Sequence, residues 1–325
     1  MQRRKLGGLE VSSLGLGCMS MTPIYGEPDP ASALETLQRA PELGIDLIDT
    51  SDAYGKGRNE ELIGRAIKGR RERYVVATKF GNLRLADGTP GVNGRPEYVP
   101  QACESSLKRL GIETIDLYYL HRVDPSVPIE ETVGAMGRLV EQGKVRFIGL
   151  SEAAPKTIRR AHATHPISAL QTEYSLWTRE VESDILPTCR ELGIGFVAYG
   201  PLGRGFLTGT IKSELALPEG DIRREMPRFQ GDNFAHNMAL VVELKRMADK
   251  EGCTPAQLAI AWVLSRGDDI VPIAGTSRKQ RLEENAAASS RQISKEAVQV
   301  LDTIFSPGSA RGARTLPNLL TRLGI

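Results

Sequence analysis

The 325-residue chain is poor in the residues that build metal sites and covalent staples. Its four cysteines, Cys18, Cys103, Cys189 and Cys253, are scattered, with no CxxC pair and no His/Cys cluster. That excludes a structural zinc site or a disulfide framework and points to free thiols in a reducing cytoplasm. No apolar run approaches the roughly 20 residues of a membrane span. The basic start Met1-Gln2-Arg3-Arg4-Lys5 is not followed by an apolar core, so no signal peptide is expected. A net charge of +2 offers no field to draw in nucleic acid or an anionic membrane surface. No GxGxxG follows the first candidate strand either. Gly15-Leu16-Gly17-Cys18-Met19-Ser20 has serine where the third glycine belongs, and Gly203-Arg204-Gly205 comes too late in the chain.

What is present is a regular alternation. A hairpin is expected over residues 1–13, around the Gly7-Gly8 turn. Apolar β-like runs follow at 14–17, 46–49, 75–79, 115–120, 147–151, 169–172, 195–199 and 270–273. Helical patterns fall at 29–43, 100–110, 128–142, 154–162, 181–192, 237–252, 254–265, 278–289 and 294–304, several opened by proline and stopped by glycine. Strand-then-helix alternation argues for a parallel sheet, and eight such units close most economically into a (β/α)8 barrel, the TIM-barrel architecture. The fold class expected is therefore α/β, as one domain over 1–325 with extra C-terminal helices and a tail over 306–325. An open doubly wound sheet is the weaker alternative. Pro41 predicts a 3₁₀ or distorted last turn in the first helix, because it lacks an amide donor and crowds the Leu37 carbonyl. Residues 80–99 and 200–235 read as irregular, and loops that long are usually lids or binding loops.

Most of the predicted strands end in groups capable of chemistry. Asp49 closes Leu47-Ile48-Asp49, Lys79 closes Val75–Lys79, and His121 follows Ile115–Leu120. Tyr54 stands five positions beyond Asp49, in a loop ending at Gly55. Barrel enzymes build their sites at the carboxyl ends of strands, so these four side chains meet at one rim. Taken singly each has a plain structural explanation: a capping carboxylate, a packing aromatic, a solvated lysine, a core histidine. Taken together they are complementary. A carbonyl that accepts hydride becomes an alkoxide and needs a proton. Free tyrosine, with a pKa near ~10, is a weak acid for that task. A neighbouring Lys⁺ favours tyrosinate and is expected to lower that pKa, and a carboxylate keeps the lysine charged. His121 can hydrogen-bond the substrate oxygen. No metal is called for. The hydride must come from a cofactor. Gly275-Thr276-Ser277-Arg278-Lys279-Gln280-Arg281 sets three basic residues at a helix start, where an anion would offset their clash with the dipole. A 2′-phosphate of NADP accounts for that pattern.

These motifs resemble the aldo-keto reductase family over essentially the full length. They are Gly15–Met19, Asp46–Gly55, Ala77–Phe80, Ser106–Gly111 with Ile115–His121, Gly143–Ser151, Ala198–Gly205 and Gly275–Asn285. The Tyr199–Leu207 stretch is similar to a bacterial and plant branch that includes auxin-induced-like reductases, with potassium-channel β subunits as more distant relatives. The resemblance implies NADPH-dependent reduction of aldehydes or ketones, with Tyr54 as acid, Lys79 and Asp49 tuning it, and His121 orienting substrate. It assigns Ser151 and Gln171 to the nicotinamide carboxamide, Tyr199 to stacking on the ring, and Gly200, Pro201, Leu202, Gly203, Arg204 and Gly205 to the pyrophosphate loop. Gly275, Ser277 and Arg278 fall at the 2′-phosphate, and Arg281, Glu284 and Asn285 toward the ribose phosphate and adenine. Gly17, Cys18, Met19, Asp49 and Glu152 complete the expected NADPH/NADP+ contacts. Three positions depart from the family pattern: Glu152 for a frequent asparagine, Ser277 for a basic residue, and Gly200 for serine. Tyr25, Phe80, Trp177 and Phe229, near the rim, are expected to shape the substrate pocket. The expected partner is a small carbonyl or alcohol, with no nucleic acid and no membrane, and a homo-oligomer is left open. Two other functions compete: a class I aldolase with Lys79 as Schiff base, which needs a neutral lysine, and a cofactor-sensing interaction module.

Overall fold

The computed structural model describes residues 1–84 and 88–325. Its N-terminal hairpin pairs β1 (Arg3–Leu6) with β2 (Leu9–Ser12). Eight parallel strands then close a barrel: β3 (Gly15–Gly17), β4 (Leu47–Asp49), β5 (Val75–Phe80), β8 (Ile115–Leu120), β9 (Val145–Ser151), β10 (Ala169–Glu173), β11 (Gly195–Tyr199) and β12 (Ile270–Gly275), with β12 returning to β3. Between β5 and β8 a second hairpin joins β6 (Asn82–Arg84) to β7 (Pro90–Val92). The helices are α1 (Pro30–Arg39), α2 (Arg58–Ile67), α3 (Tyr98–Leu110), α4 (Ile129–Glu141), α5 (Pro155–Thr164), α6 (Ile185–Glu191), α7 (Gly231–Lys250), α8 (Pro255–Leu264), α9 (Lys279–Ala287), α10 (Lys295–Ile304) and α11 (Pro317–Leu320). None of the described helices is long and apolar enough to cross a membrane.

The expected (β/α)8 barrel is the observed one. The turn at Pro41 is also as predicted, with α1 tightening into a 3₁₀ turn over Ala40–Leu43. Four local expectations are corrected. No helix was expected between β4 and β5, yet α2 lies there. Its start is masked by Gly55-Lys56-Gly57, and its N-cap is a left-handed glycine with no capping side chain. Residues 80–99 are not wholly irregular, since β6, β7 and the start of α3 fall within them. The segment 181–192 divides into a 3₁₀ turn (Glu180–Glu182) and α6, because Pro187 lacks an amide donor and fits only near a helix start. α7 begins at Gly231, inside the segment expected to be loop to 235.

Strand side chains alternate between the barrel interior and the surrounding helices. Leu47, Ala77, Leu117, Tyr119, Ala169, Val197, Val271 and Ile273 point inward and form one apolar cluster. Leu6, Leu9 and Val11 of the hairpin join the same cluster, so the hairpin plugs one end of the barrel. Arg4 secures the plug by donating to the carbonyls of Gly267, Ile270 and Leu264. Space inside is tight: a Cβ on Gly149 would fall 2.5 Å from the Tyr119 ring. On five of the strands the next inward position, two residues on, is polar. Asp49 follows Leu47, Lys79 follows Ala77, His121 follows Tyr119, Gln171 follows Ala169 and Tyr199 follows Val197. The apolar interior thus passes directly into a polar layer at the open end.

Candidate active site

At the floor of that layer Lys79 Nζ donates to Asp49 Oδ1 at 2.5 Å and to the Thr50 carbonyl at 2.7 Å. Neither side chain of the pair is more than 4 % exposed. Gln171 Nε2 donates to Asp49 Oδ2 at 2.7 Å, so both carboxylate oxygens are engaged. Burial opposes the ammonium, but Asp49 and Tyr54 more than offset it, and the Lys79 pKa is raised. The proton of this pair therefore stays on Lys79, since moving it would strip the ion pair from two desolvated groups.

Tyr54 lies above the pair, with Lys79 Nζ 5.2 Å from its ring centroid. Its ring meets His121 edge-on, centroids 5.9 Å apart. The loop that presents Tyr54 needs left-handed backbone at Gly55 (φ 59°), where a Cβ would also fall 2.8 Å from the Thr22 methyl. The net direction of the Tyr54 shift differs from the expectation. Burial pushes the phenol above its ordinary value, and the Lys79 charge pulls it back only in part. The phenol consequently keeps its proton through neutral pH, as a donor must until charge develops beside it.

Burial, with the charges of Arg122 and Lys79, holds His121 well below its ordinary pKa, so its ring is neutral. Which nitrogen carries the proton then decides what it can do. Ser51 Oγ, fully buried, lies 3.0 Å from Nδ1 and accepts from the Ala53 amide at 3.1 Å. Its one proton can go to Nδ1, or at 3.3 Å to the Lys79 carbonyl or to Asp52. Donation to the nearest of these leaves the ring proton on Nε2, ready for a ligand oxygen.

A cleft of about 900 Å³ runs from Tyr54 and His121 to Arg278 and Arg281. Gly17, Cys18, Met19, Asp49, Ser151, Gln171, Tyr199, Gly200, Pro201, Leu202, Arg204 and Gly205 line it, as do Gly275, Ser277, Arg278, Arg281, Glu284 and Asn285. Tyr25 lines it too. Its roof joins two loops: the Ile222 amide donates to the Ile24 carbonyl at 3.2 Å, and the Arg223 guanidinium sits 4.5 Å over the Tyr25 ring. At the far end Arg281 is held below its ordinary value by burial and then by Arg278. Two guanidiniums crowded in a cleft suit a phosphate between them. The length of the cleft, the aromatic at one end and the paired cations at the other fit a phosphorylated dinucleotide.

Several expected site residues lie elsewhere. Phe80 occupies an outward strand position and stacks on Tyr118, centroids 4.8 Å apart, in the layer between barrel and helices. Trp177 and Phe229 pack around Phe206, with Trp177 directly beneath Gly203, so they and Gly203 support the loop from behind. Glu152 is turned away from the cleft. It accepts from Tyr199 Oη at 2.8 Å, from the Glu173 amide at 3.1 Å, and from both Nη atoms of Arg314 at 2.8 and 2.6 Å. Its backbone is left-handed (φ 56°), a conformation asparagine tolerates better than glutamate. The tail is anchored at the same place: the Gly324 amide donates to the Glu152 carbonyl and the Ala154 amide to that of Ile325, at 2.9 and 3.0 Å. Thr315 and Leu319 of the tail line the cleft. Sequence reasoning missed Ser51, Arg122 and Arg314. Ser51 lies inside the Asp46–Gly55 motif and Arg122 adjoins Ile115–His121, so both could have been found by their strand-end position. Arg314 reaches the site only through the fold.

A model of the aldo/keto reductase family matches residues 13–305. Among solved structures, the glycerol dehydrogenase AKR11B4 from Gluconobacter oxydans is 30 % identical, with 94 % of each chain covered and a TM-score of 0.86. The aldo-keto reductase AKR11C1 from Bacillus halodurans, in its holo form, is 30 % identical over 97 % of this chain and 98 % of that one, with a TM-score of 0.76. An aldo/keto reductase from Klebsiella pneumoniae in complex with NADP and acetate is 27 % identical over 96 % and 97 %, with a TM-score of 0.73.

The Ser51 contact yields a prediction. In Ser51→Ala, ¹⁵N NMR of the His121 ring should move from an Nε2–H pattern toward a tautomer mixture. An unchanged spectrum would mean that the hydroxyl does not set the tautomer.

Proposed function

The chain belongs to the aldo/keto reductase family, and on that premise we propose that it reduces aldehydes or ketones to alcohols with NADPH, Tyr54 supplying the proton. Enzymes of this family are oxidoreductases that use nicotinamide cofactors and act on small carbonyl compounds. The observation that carries the finer reading is the buried Asp49–Lys79 pair beneath Tyr54 and His121.

When bound, the nicotinamide supplies the hydride. Tyr199 at the cleft wall offers it a stacking face, held by the hydrogen bond from its hydroxyl to Glu152. Ser151 Oγ already accepts from Arg122 at 3.0 Å, so its own proton is free for the carboxamide oxygen. Gln171 spends its amide on Asp49, which leaves its oxygen for the carboxamide N–H. Glu152, a carboxylate already engaged, takes no part in that contact. The carbonyl oxygen of the substrate meets the Tyr54 hydroxyl and His121 Nε2–H. As that oxygen becomes an alkoxide, it takes the phenolic proton. The tyrosinate left behind is stabilised by Lys79, and solvent returns the proton.

NADPH rather than NADH is favoured by Arg278 and Arg281 at the far end, since Ser277 brings no charge. The aldolase reading needs a neutral lysine, and a Lys79 whose pKa is raised argues against it. The sensor reading is tested by turnover itself.

Tyr54→Phe is expected to keep NADPH affinity while carbonyl reduction falls at least ~10²-fold, the low end for losing a general acid. Turnover within a few-fold of wild type would remove Tyr54 from that role. Arg278→Ala is expected to raise the Kd for NADPH about 10-fold or more while moving that for NADH little, because only NADPH carries the 2′-phosphate. Equal weakening of both cofactors would place the 2′-phosphate elsewhere.

A further inference from the structure

Arg122 follows His121 at the end of β8 and lines the substrate end of the cleft beside it. Its head group is fixed: Nη1 donates to the His121 carbonyl at 2.6 Å and to Ser151 Oγ at 3.0 Å. Nε and Nη2 have no partner among the described residues, and no described carboxylate lies within ion-pair distance of Arg122. The other guanidiniums near this end are paired. Arg204 reaches Glu173 at 3.3 Å, Arg314 reaches Glu152 at 2.6 Å, and Arg223 reaches Asp221 at 2.5 Å. The charge on Arg122 is felt at Tyr54, His121, Glu152 and Tyr199. Glu152 does not neutralise it, because both its oxygens are held by Arg314.

The balance around this end of the barrel points the same way. Asp49 is matched by Lys79, Glu152 by Arg314, and Glu173 by Arg204 and Arg228. Asp52, beside Ser51, is pushed up to about 7 by burial, so that Arg122 is left without a carboxylate partner among the described residues. A half-buried site with surplus positive charge, one fixed guanidinium and unspent donors is built to receive an anion. In the reductase reading the 2′-phosphate falls to Arg278 and Arg281 and the pyrophosphate to the Gly200–Gly205 loop, so neither is expected to meet the free donors of Arg122.

We propose that Arg122 forms an anion subsite next to the reacting carbonyl, and that the preferred substrates are aldehydes or ketones bearing a carboxylate a few bonds away. This rests on the reductase reading above and specifies its substrate class. A neutral carbonyl compound would still reach Tyr54 and His121, but would leave the Arg122 donors to water.

The test compares 2-, 3- and 4-formylbenzoate with the matching formylbenzamides, using the holoenzyme and NADPH. The rigid ring holds the charge at three distances from one aldehyde. At least one acid should exceed its amide in kcat/KM by about 10-fold or more, mainly through KM, as a charge-assisted hydrogen bond provides. Arg122→Met should collapse that ratio toward one, and Arg122→Lys should keep part of it. Amides that match or surpass the acids in all three pairs overturn the subsite, as does an Arg122→Met variant that lowers acid and amide by the same factor. If no aldehyde is turned over, the reductase reading fails instead. The subsite is then read from calorimetry of benzoate on the NADP+ complex, where binding by wild type but not by Arg122→Met supports it and equal binding refutes it.

Discussion

The site depends on one buried ion pair. Lys79 and Asp49 lie under the rim of the barrel, out of water, and each is stable there only because the other is present. The Thr50 carbonyl and the Gln171 amide complete the hydrogen bonding that solvent would otherwise provide. The result is a fixed positive charge beneath a phenol that burial alone would make a very poor acid. In a cleft sheltered from water, such a charge acts on a developing tyrosinate with little screening. The same pair reaches Gln171, so the proposed proton donor and the proposed carboxamide subsite would share one anchor.

The barrel makes this arrangement by simple alternation. The residues that fill its interior and those that bear the chemistry occupy the same inward positions, one repeat apart, on five of the strands. The hairpin plug at the opposite end closes an interior below the site that is apolar apart from the Tyr119 hydroxyl. Above the site the roles are divided: Tyr199 and Glu152 fasten the wall to Arg314 and the tail, Ser51 holds His121 from behind, and Arg122, on the cleft wall, holds Ser151. Glu152, where the family resemblance led asparagine to be expected, acts as a structural clasp between Tyr199 and Arg314.

Much of this was legible in the sequence because strand ends are easy to see. Eight apolar runs alternating with helical patterns disclosed the barrel, the strand ends at Asp49, Lys79 and His121 disclosed its rim, and Pro41 disclosed the tightened turn. The omissions have physical causes. α2 begins after a glycine-rich loop with no capping side chain, so its periodicity had no visible start. Phe80 is one residue past Lys79, and a shift of one reverses the face of a strand, which carried it from the expected pocket to the helix layer. Trp177 and Phe229 are distant in sequence from Phe206, and only the folded loop brings them together. The sign of the Tyr54 shift was beyond reach for the same reason, since desolvation is a property of the packed site and not of the residues that make it.

The most direct test of the account is the acidity of Tyr54 itself. With 3-fluorotyrosine incorporated, ¹⁹F NMR follows the Tyr54 phenol against pH in wild type and in Lys79→Met. The account predicts a Tyr54 pKa above that of free fluorotyrosine in wild type, and higher still without the lysine. The same titration midpoint in both proteins would contradict it, because the ammonium would then exert no hold on the phenol.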